Sequence, residues 1–200
     1  MQTVELLCDP PFDHAVRTVW QRLADAGVDS LAHNQHQGHR PHLTLAACAR
    51  MPAGAADRLD ELLAEALPLT VRLTGLLSFA ARSRRRVLSW SIVPTLELVQ
   101  LHRRVWEVLD GAEEPSAHYV PGRWSPHLGL TRRLTPEDVS LAHAALGRHP
   151  DLTGTFTAAR SFDSGTQLTR PLGAVDGAVD GAVDGAVANT PGRAHDGTPD

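Results

Sequence analysis

The stretch Arg40-Pro41-His42-Leu43-Thr44-Leu45 decides how this chain folds, together with its later counterpart Ser125-Pro126-His127-Leu128-Gly129-Leu130. In each, a proline precedes a histidine, and apolar residues then alternate with small or polar ones. This alternation is typical of a β-strand with one buried face. Residues i and i+2 of a strand share a face, about 6.6–6.8 Å apart. We therefore predict that His42 and Thr44 face a cleft and that the leucines of the same stretch face the core.

The second stretch follows the same geometry, which places His127, Gly129 and Thr131 on one face of its strand. His42 and His127 lie 85 positions apart, too far for a tandem repeat of one small motif. A proline just before each strand suits the first position of a strand. We predict that the two strands bring two imidazoles across one cleft.

Composition limits the classes of protein that the chain can be. A chain of 200 residues with 42% hydrophobic content can bury one substantial core, or at most two small ones. A net charge of −4 gives no general attraction to nucleic acid, although it leaves room for local basic patches. No run approaches the roughly 18 apolar residues of a membrane span, and the N-terminus lacks a signal-peptide pattern. Cys8 and Cys48 lie in apolar strand-like runs, so we predict reduced thiols and a cytoplasmic location.

Periodicity and capping signals predict the elements around the two histidine strands. Asp13 is the predicted N-cap of the first helix, and Thr135 that of the last. The predicted elements are a strand over 4–8, a helix over 14–26, a histidine strand over 41–48, a helix over 55–67, strands over 69–79 and 87–93, a helix over 96–109, the second histidine strand, a helix ending at 146, and strands over 152–159 and 161–168. This order predicts an α+β fold.

The chain divides into two comparable halves and a tail. The halves, about 1–75 and 76–172, each carry a helix, a histidine strand, another helix and further strands, which predicts an internally duplicated unit with a pseudo-twofold axis. From Gly173 a Gly-Ala-Val-Asp repeat begins and then decays. Such a repeat buries too little apolar surface to offset the cost of ordering backbone, about 1–2 kcal/mol per residue. We predict that residues 173–200 are disordered.

A duplicated α+β chain of this length with two His-x-Thr/Ser-x strands resembles the 2H phosphoesterase superfamily. It is most similar to the branch named for 2′-5′ RNA ligase, whose members act as RNA 2′,3′-cyclic phosphodiesterases. The resemblance covers residues 1–172. The first motif matches in full, and the second departs only at Gly129, where a hydroxyl is expected. The resemblance implies a bilobal fold in which two antiparallel sheets flank a central cleft, with helices on the outside.

The implied reaction opens 2′,3′-cyclic phosphates of RNA ends or small nucleotides to 2′-phosphates, without metal or other cofactor. One histidine of the pair His42 and His127 acts as base and the other as acid, because the imidazole pKa of about 6.5 suits both roles. Which is which stays open. The Thr44 hydroxyl is the predicted donor to a phosphate oxygen. Ligation of 2′-5′ linked RNA is the reverse reaction, and no obligate protein partner is implied. The alternative is a weakened relative that binds RNA ends or nucleotides without turnover.

Five further residues are predicted to line the substrate site: Gly129, Thr131, Arg132, Arg40 and Trp124. The hydroxyl missing at Gly129 is replaced by a backbone N–H, by water or by Thr131, or else the protein is slow or specialised. A further hypothesis is that Gly129 makes room for a bulkier substrate. Arg132 is either a phosphate clamp or a solvated strand end, Arg40 lines the cleft mouth, and Trp124 either stacks on a base or packs at the rim.

Two other patterns have competing interpretations. His33, His36, His39 and His42 recur every three residues, but a glycine and a proline interrupt any helix that would align them, so we predict no metal site. The basic run 82–86 either holds RNA phosphates or is a solvated hairpin turn, and we favour the turn.

Overall fold

The computed structural model describes residues 1–34, 38–147 and 151–173. Its elements are β1 (Gln2–Cys8), α1 (Pro10–Asp25), a 3₁₀ helix (Leu31–His33), β2 (His42–Cys48), α2 (Ala55–Ala66), β3 (Leu69–Ala80), β4 (Arg86–Ile92), α3 (Leu96–Val108), β5 (His127–Gly129), α4 (Pro136–Leu146), β6 (Leu152–Asp163) and β7 (Leu168–Leu172). The predicted α+β class is confirmed. Apart from Gly173, the predicted tail lies outside the described residues. None of the described helices is long and apolar enough to cross a membrane.

The seven strands form one antiparallel sheet in the order β2-β1-β6-β3-β4-β5, with β7 beside β6. The prediction of two separate sheets is therefore wrong. The physical reason is the length of β6, which pairs with β1 on one side and with β3 on the other. The order is symmetric, because β1 lies between β2 and β6 just as β4 lies between β5 and β3. The division into lobes 1–75 and 76–172 stays a prediction.

The two histidine strands are the ends of this order, and they meet in space. Strands β2 and β5 contact each other. The indole Nε1 of Trp124, just before β5, donates to the Thr44 carbonyl in β2 at 3.0 Å. Ser30, after α1, forms an antiparallel bridge with Thr131, after β5. The sheet therefore curls until its two edges face each other.

Burial along β2 follows the predicted alternation over its first four residues. Leu43 and Leu45 are fully buried, whereas His42 and Thr44 are partly exposed. The leucines belong to the core, and α3 packs against β2. Burying each leucine contributes roughly 1.5–3 kcal/mol, so the hydrophobic effect fixes which face of β2 carries the histidine.

Two local predictions are wrong. Helix α1 begins at Pro10 and its N-cap is Asp9, whose carboxylate accepts from the Phe12 N–H at 2.8 Å. Prolines suit a first helical turn because they lack the N–H that would have no partner there. At the other end of the chain, residues 152–163 form one strand, not two, and β7 is short.

Strand β5 ends sooner than predicted. The N–H groups of Leu130 and Thr131 both donate to the Leu88 carbonyl, at 3.0 and 3.2 Å. Two residues opposite one form a β-bulge, which breaks the alternation of faces. Thr131 is only 2% exposed, so the alternation of buried and exposed residues ends at Leu130, and the place of Thr131 in the substrate site stays a prediction.

Candidate active site

Both histidines are held by the same backbone arrangement. Nδ1 of His42 lies 2.7 Å from the Arg40 carbonyl oxygen, and Nδ1 of His127 lies 2.7 Å from the Ser125 carbonyl oxygen. A proline separates histidine and acceptor each time and fixes the backbone between them. A carbonyl oxygen only accepts, so each Nδ1 carries a hydrogen. Nε2 is then the nitrogen of each ring that can take up or release a proton.

The two imidazoles are close enough to interact electrostatically. Burial lowers the pKa of His127, its hydrogen bond to the Ser125 carbonyl opposes this, and the neighbouring His42 lowers the pKa further. The His127 ring also packs on Phe79 of β3, with centroids 4.7 Å apart. His127 is therefore biased towards the neutral form, the form that accepts a proton.

His42 stands beside a buried carboxylate that the sequence analysis missed. Glu5 of β1 is 4% exposed, and its Oε1 lies 3.8 Å from Nε2 of His42. Arg160 of β6 donates from Nε to Oε2 at 2.7 Å, and the Thr3 hydroxyl donates to Oε1 at 2.7 Å. Burial alone would raise the pKa of Glu5, but His42, Arg160 and Thr3 outweigh it and hold that pKa below its usual value. The carboxylate is therefore charged.

Strand register explains this arrangement. Glu5 is paired with Thr44 of β2 on one side and with Arg160 of β6 on the other. Directly opposite residues have their Cβ atoms about 4.5–5.5 Å apart, so the three side chains form a row across the sheet. The signal for this row was present in the sequence as a single acid inside the apolar run Val4-Glu5-Leu6-Leu7, because a buried charge needs a partner.

The loop before β2 is tied to the same row. Arg160 also donates from Nη1 to the Gly38 carbonyl at 2.8 Å. His39 stacks on Trp20 at 5.1 Å and meets the His42 ring edge-on at 6.1 Å. Burial, with a contribution from His42, lowers the pKa of His39 to about 4. His39 is therefore uncharged at neutral pH and packs beside His42.

These side chains line a cavity of about 390 Å³. It is bounded on the cleft face of β2, β1 and β6 by Thr3, Glu5, His39, His42, Thr44 and Arg160, among others. A larger depression of about 630 Å³ lies between α3 and the loop that follows it, away from both histidines. The smaller cavity contains His42 and Thr44 of the predicted site, and His127 is not among the residues that line it.

Thr44 and Trp124 lie where β2 and β5 meet. The Thr44 side chain interacts with the Tyr119 hydroxyl, although burial dominates and raises the pKa of Tyr119. Trp124 stacks on His102 of α3, with rings 4.0 Å apart and 3° from parallel. One face of the indole is therefore covered and its N–H is bound to β2. Of the two alternatives for Trp124, this favours packing at the rim over stacking on a base.

Gly129 has no empty space above it. A Cβ built there would lie 2.9 Å from Cδ1 of Leu31, which belongs to the 3₁₀ helix. Thr131 does not replace the missing hydroxyl either, because its Oγ1 accepts from the Leu88 N–H at 2.9 Å and donates to the Arg132 carbonyl at 3.0 Å. Leu31 therefore fills the room that a bulkier substrate was expected to use.

The two arginines that were predicted to line the substrate site lie next to acidic residues that are not part of the row of Thr44, Glu5 and Arg160. Arg40 lies 3.5 Å from the Asp13 carboxylate, and Arg132 lies 3.8 Å from that of Asp29. Both guanidinium groups are about half exposed. In the described residues no group of three or more His, Cys, Asp and Glu side chains is arranged to hold a metal ion, and His36 of the predicted histidine series lies outside those residues.

The chain carries two histidines that are held alike on two strands that meet in space, and this fits the class of the 2H phosphoesterases. A family model described as the 2′-5′ RNA ligase superfamily matches residues 10–162, and the chain belongs to that superfamily. The resemblance stated from the sequence is thereby confirmed.

Three solved structures are similar to the chain at low identity. A crystal structure of a phosphoesterase is 19% identical, with 86% of this chain and 92% of that chain covered and a TM-score of 0.45. Usb1 from Kluyveromyces marxianus with uridine monophosphate is 14% identical, with coverage of 86% and 97% and a TM-score of 0.46. A second structure of that Usb1 is 16% identical, with the same coverage and TM-score. No curated protein matches the sequence.

Proposed function

We propose that the chain is a metal-independent phosphodiesterase that opens 2′,3′-cyclic phosphates at RNA ends or on nucleotides to 2′-phosphates. The observation that carries this proposal is the matched hold on His42 and His127, which leaves two Nε2 atoms for proton transfer. Membership of the 2′-5′ RNA ligase superfamily supports the same chemistry.

The proposed reaction adds one water molecule. One neutral imidazole takes a proton from water, whose oxygen attacks phosphorus. The bond from phosphorus to the ribose 3′ oxygen breaks, and the other imidazole, as imidazolium, gives its proton to that oxygen. Each transfer contributes about 10²–10⁴ in rate. The Thr44 hydroxyl donates to a non-bridging phosphate oxygen, where charge increases in the transition state. Ligation is the same sequence with an RNA 5′-hydroxyl in place of water as the nucleophile.

An arginine patch supports an RNA end over a mononucleotide. Its members are exposed at the β3–β4 turn and after β5: Arg82, Arg84, Arg85, Arg86, Arg132 and Arg133. Six of the 19 basic residues are thus gathered at one place. Strand β3 leads to this patch from Phe79, which packs on His127. From Ser91, the partner of His127, to Arg86 is about 17 Å along β4. An RNA chain of several nucleotides spans this distance.

Substrate length and salt test this choice. We expect kcat/KM for an oligoribonucleotide ending in a cyclic phosphate to fall with salt, while that for a cyclic mononucleotide changes little. The Arg82→Gln/Arg84→Gln variant lowers only the first. Arg103→Gln/Arg104→Gln on α3 is the matched control, because it removes two exposed arginines elsewhere. If the two variants had equal effects on both substrates, the arginine patch would be a solvated turn that does not bind RNA.

Gly129 favours a second candidate, a binding module without turnover. The second motif lacks its hydroxyl, and Leu31 covers the position. The two candidates are separated by incubation with 2′,3′-cyclic nucleotides in EDTA. Turnover that survives EDTA and is lost in His42→Ala and His127→Ala supports the enzyme, with the exposed His14→Ala as control. Binding without turnover supports the module.

We keep the cytoplasmic location as a proposal. Cys8 and Cys48 are both buried and unpaired, which fits a reducing compartment. Labelling of free thiols in protein denatured directly from cells tests it. Two reactive thiols are expected, and a protected pair would contradict the proposal.

A further inference from the structure

Two tryptophan side chains hold the strands that carry the histidines. The indole Nε1 of Trp20 in α1 donates to the Gly129 carbonyl at 2.8 Å. The indole Nε1 of Trp124 donates to the Thr44 carbonyl at 3.0 Å. Each acceptor is the second residue after a histidine. The two indole hydrogen bonds are reciprocal, because Trp20 precedes the first histidine strand and binds the second, whereas Trp124 precedes the second and binds the first.

Each indole is stacked on an imidazole. Trp20 stacks on His39, with ring centroids 5.1 Å apart and planes 19° from parallel. Trp124 stacks on His102 of α3, with centroids 4.0 Å apart and planes 3° from parallel. In each stack one ring comes from a helix, and the other lies three residues before a histidine of the pair. Burial lowers the pKa of His39 to about 4 and also lowers the pKa of His102, so both stacked imidazoles are uncharged at neutral pH.

The histidine strands need such contacts because they do not pair with each other. Strands β2 and β5 are the two ends of the strand order, and the described residues show no ladder of backbone hydrogen bonds between them. Both indoles bind a backbone carbonyl, so each bond holds the strand itself whatever side chain stands there. This is why the same hold occurs at Thr44 and at Gly129, which has no side chain.

Resting on the function proposed above, we propose that Trp20 and Trp124 are positioning residues that hold the paired histidines of β2 and β5 at the separation that a phosphate between them requires. The imidazole stacked on each indole fixes the plane of that indole. A displacement of about 1 Å in an active site can cost about 10²-fold in rate. The two indoles act through the strands, so their loss lowers kcat and leaves KM nearly unchanged.

Removal of single indole N–H groups tests the proposal. We expect Trp20→Phe and Trp124→Phe each to lower kcat by about tenfold to 10²-fold, with KM nearly unchanged. Trp106→Phe is the matched control and should leave kcat unchanged, because the buried indole N–H of Trp106 has no hydrogen-bond partner in the described residues. Equal effects of the three variants, or an effect on KM alone, would overturn the proposal.

An isosteric replacement covers the case in which Trp20→Phe unfolds the chain, since Trp20 is only 2% exposed. Replacement of all four tryptophans by β-(3-benzothienyl)alanine exchanges every indole N–H for sulfur and keeps the shape of the rings. The N–H groups of Trp90 and Trp106 have no partner in the described part of the chain, so the loss reports on the two indole hydrogen bonds. We expect kcat to fall at least as far as in Trp124→Phe. An unchanged kcat would overturn the proposal.

His102 is tested by a variant of its own. Its Nε2 donates to the Tyr119 carbonyl at 2.7 Å, so the ring cannot rotate without losing this bond. His102→Phe keeps an aromatic face but loses the bond, and it should lower kcat less than Trp124→Phe does. Combined with Trp124→Phe, it should have little further effect. A larger loss than in Trp124→Phe, or the same loss in both backgrounds, would show that His102 does not act through the indole.

A crystallographic measurement separates this inference from the proposed function. In crystal structures of the wild type and Trp124→Phe, we expect the distance between Nε2 of His42 and Nε2 of His127 to differ by about 0.5 Å or more, the tolerance of a preorganised site. Trp106→Phe should leave the distance unchanged. An unchanged distance in Trp124→Phe would overturn the inference even if the wild type is active. A changed distance in a protein whose wild type shows no turnover would instead count against the proposed function.

Discussion

Strands β2 and β5 hold their histidines in the same way but support them differently. Across the sheet from Thr44 lie Glu5 and then Arg160, which form a buried ion pair. Across from Gly129 lies Ser89, whose buried hydroxyl has no hydrogen-bond partner in the described residues. The backbone thus repeats a pattern that the side chains do not. Each histidine keeps its hydrogen bond to a backbone carbonyl, but different side chains surround it.

The difference between the strands begins in their length. Strand β2 pairs with β1 over most of its length, whereas β5 has three residues and ends in the bulge at Leu130 and Thr131. The bulge turns the Thr131 hydroxyl inwards, and Leu31 closes over Gly129. Strand β2 therefore offers a side-chain hydroxyl two residues after its histidine, whereas β5 has Gly129 at that place. The following predictions test this comparison.

Substitution of either histidine should give the largest loss of activity, and the losses should be similar for the two strands. His42→Ala and His127→Ala each should lower kcat/KM by about 10²–10⁴, and the double variant should lose little more than the worse single variant, because the two groups act in one step. Steady-state kinetics of the three variants measure this. Fully additive losses, or a loss below tenfold in either single variant, would contradict the pairing.

Removal of the threonine hydroxyls should then have different effects on the two strands. We expect Thr44→Ala to lower turnover by about 10²–10³, the usual loss for one preorganised donor. Thr131→Ala should leave turnover nearly unchanged but lower the free energy of unfolding by about 1–3 kcal/mol, because it leaves the buried Leu88 N–H unpaired. Kinetics and urea denaturation of both variants test this. A loss of turnover in Thr131→Ala without a loss of stability would place its hydroxyl in the site after all.

The pH dependence should reflect the burial of His127. We expect His127 to serve as the base of the proposed reaction, which must be neutral, and its lowered pKa keeps it neutral at pH values where an ordinary histidine is protonated. A base with the ordinary pKa of about 6.5 would lose about fourfold in kcat/KM at pH 6. We expect a smaller loss, with the acidic limb of the profile below pH 6.5. A limb at or above 6.5 would contradict a base whose pKa is lowered.

Restoring the hydroxyl should give a smaller gain. Gly129→Thr alone should leave activity unchanged or lower, because its Cβ meets Leu31 at 2.9 Å. Gly129→Thr/Leu31→Ala should raise kcat severalfold over Leu31→Ala, since the hydroxyl then has room. Comparison of kcat among the three variants tests this prediction. A full gain from Gly129→Thr alone would show that Leu31 moves freely.

Ser89→Ala should give the smallest effect. The substitution removes a buried hydroxyl that has no partner in the described residues, so we expect the free energy of unfolding to rise by up to about 1 kcal/mol. Urea denaturation measures it, with Ser91→Ala on the same strand as control. A marked loss of stability would mean that the hydroxyl has a partner in solution.

Local patterns predicted most of the secondary structure and the faces of β2. Alternation identifies Leu43 and Leu45 as core because the hydrophobic effect acts on each strand separately. Alternation failed at Thr131, because the bulge depends on how β5 pairs with β4. Alternation also failed to predict that the strands form one sheet, because β6 joins β1 to β3 by long-range pairing.

The sequence by itself determined the two histidine strands, the prolines that set their anchors, and the family to which the chain belongs. Tertiary structure alone decided which charges surround each histidine. Glu5 and Arg160 are 155 positions apart, and only the antiparallel register of β1 and β6 makes them neighbours. The reason is physical: strand formation depends on near neighbours in the chain, whereas the charge of a buried imidazole depends on whatever the fold places a few ångströms away.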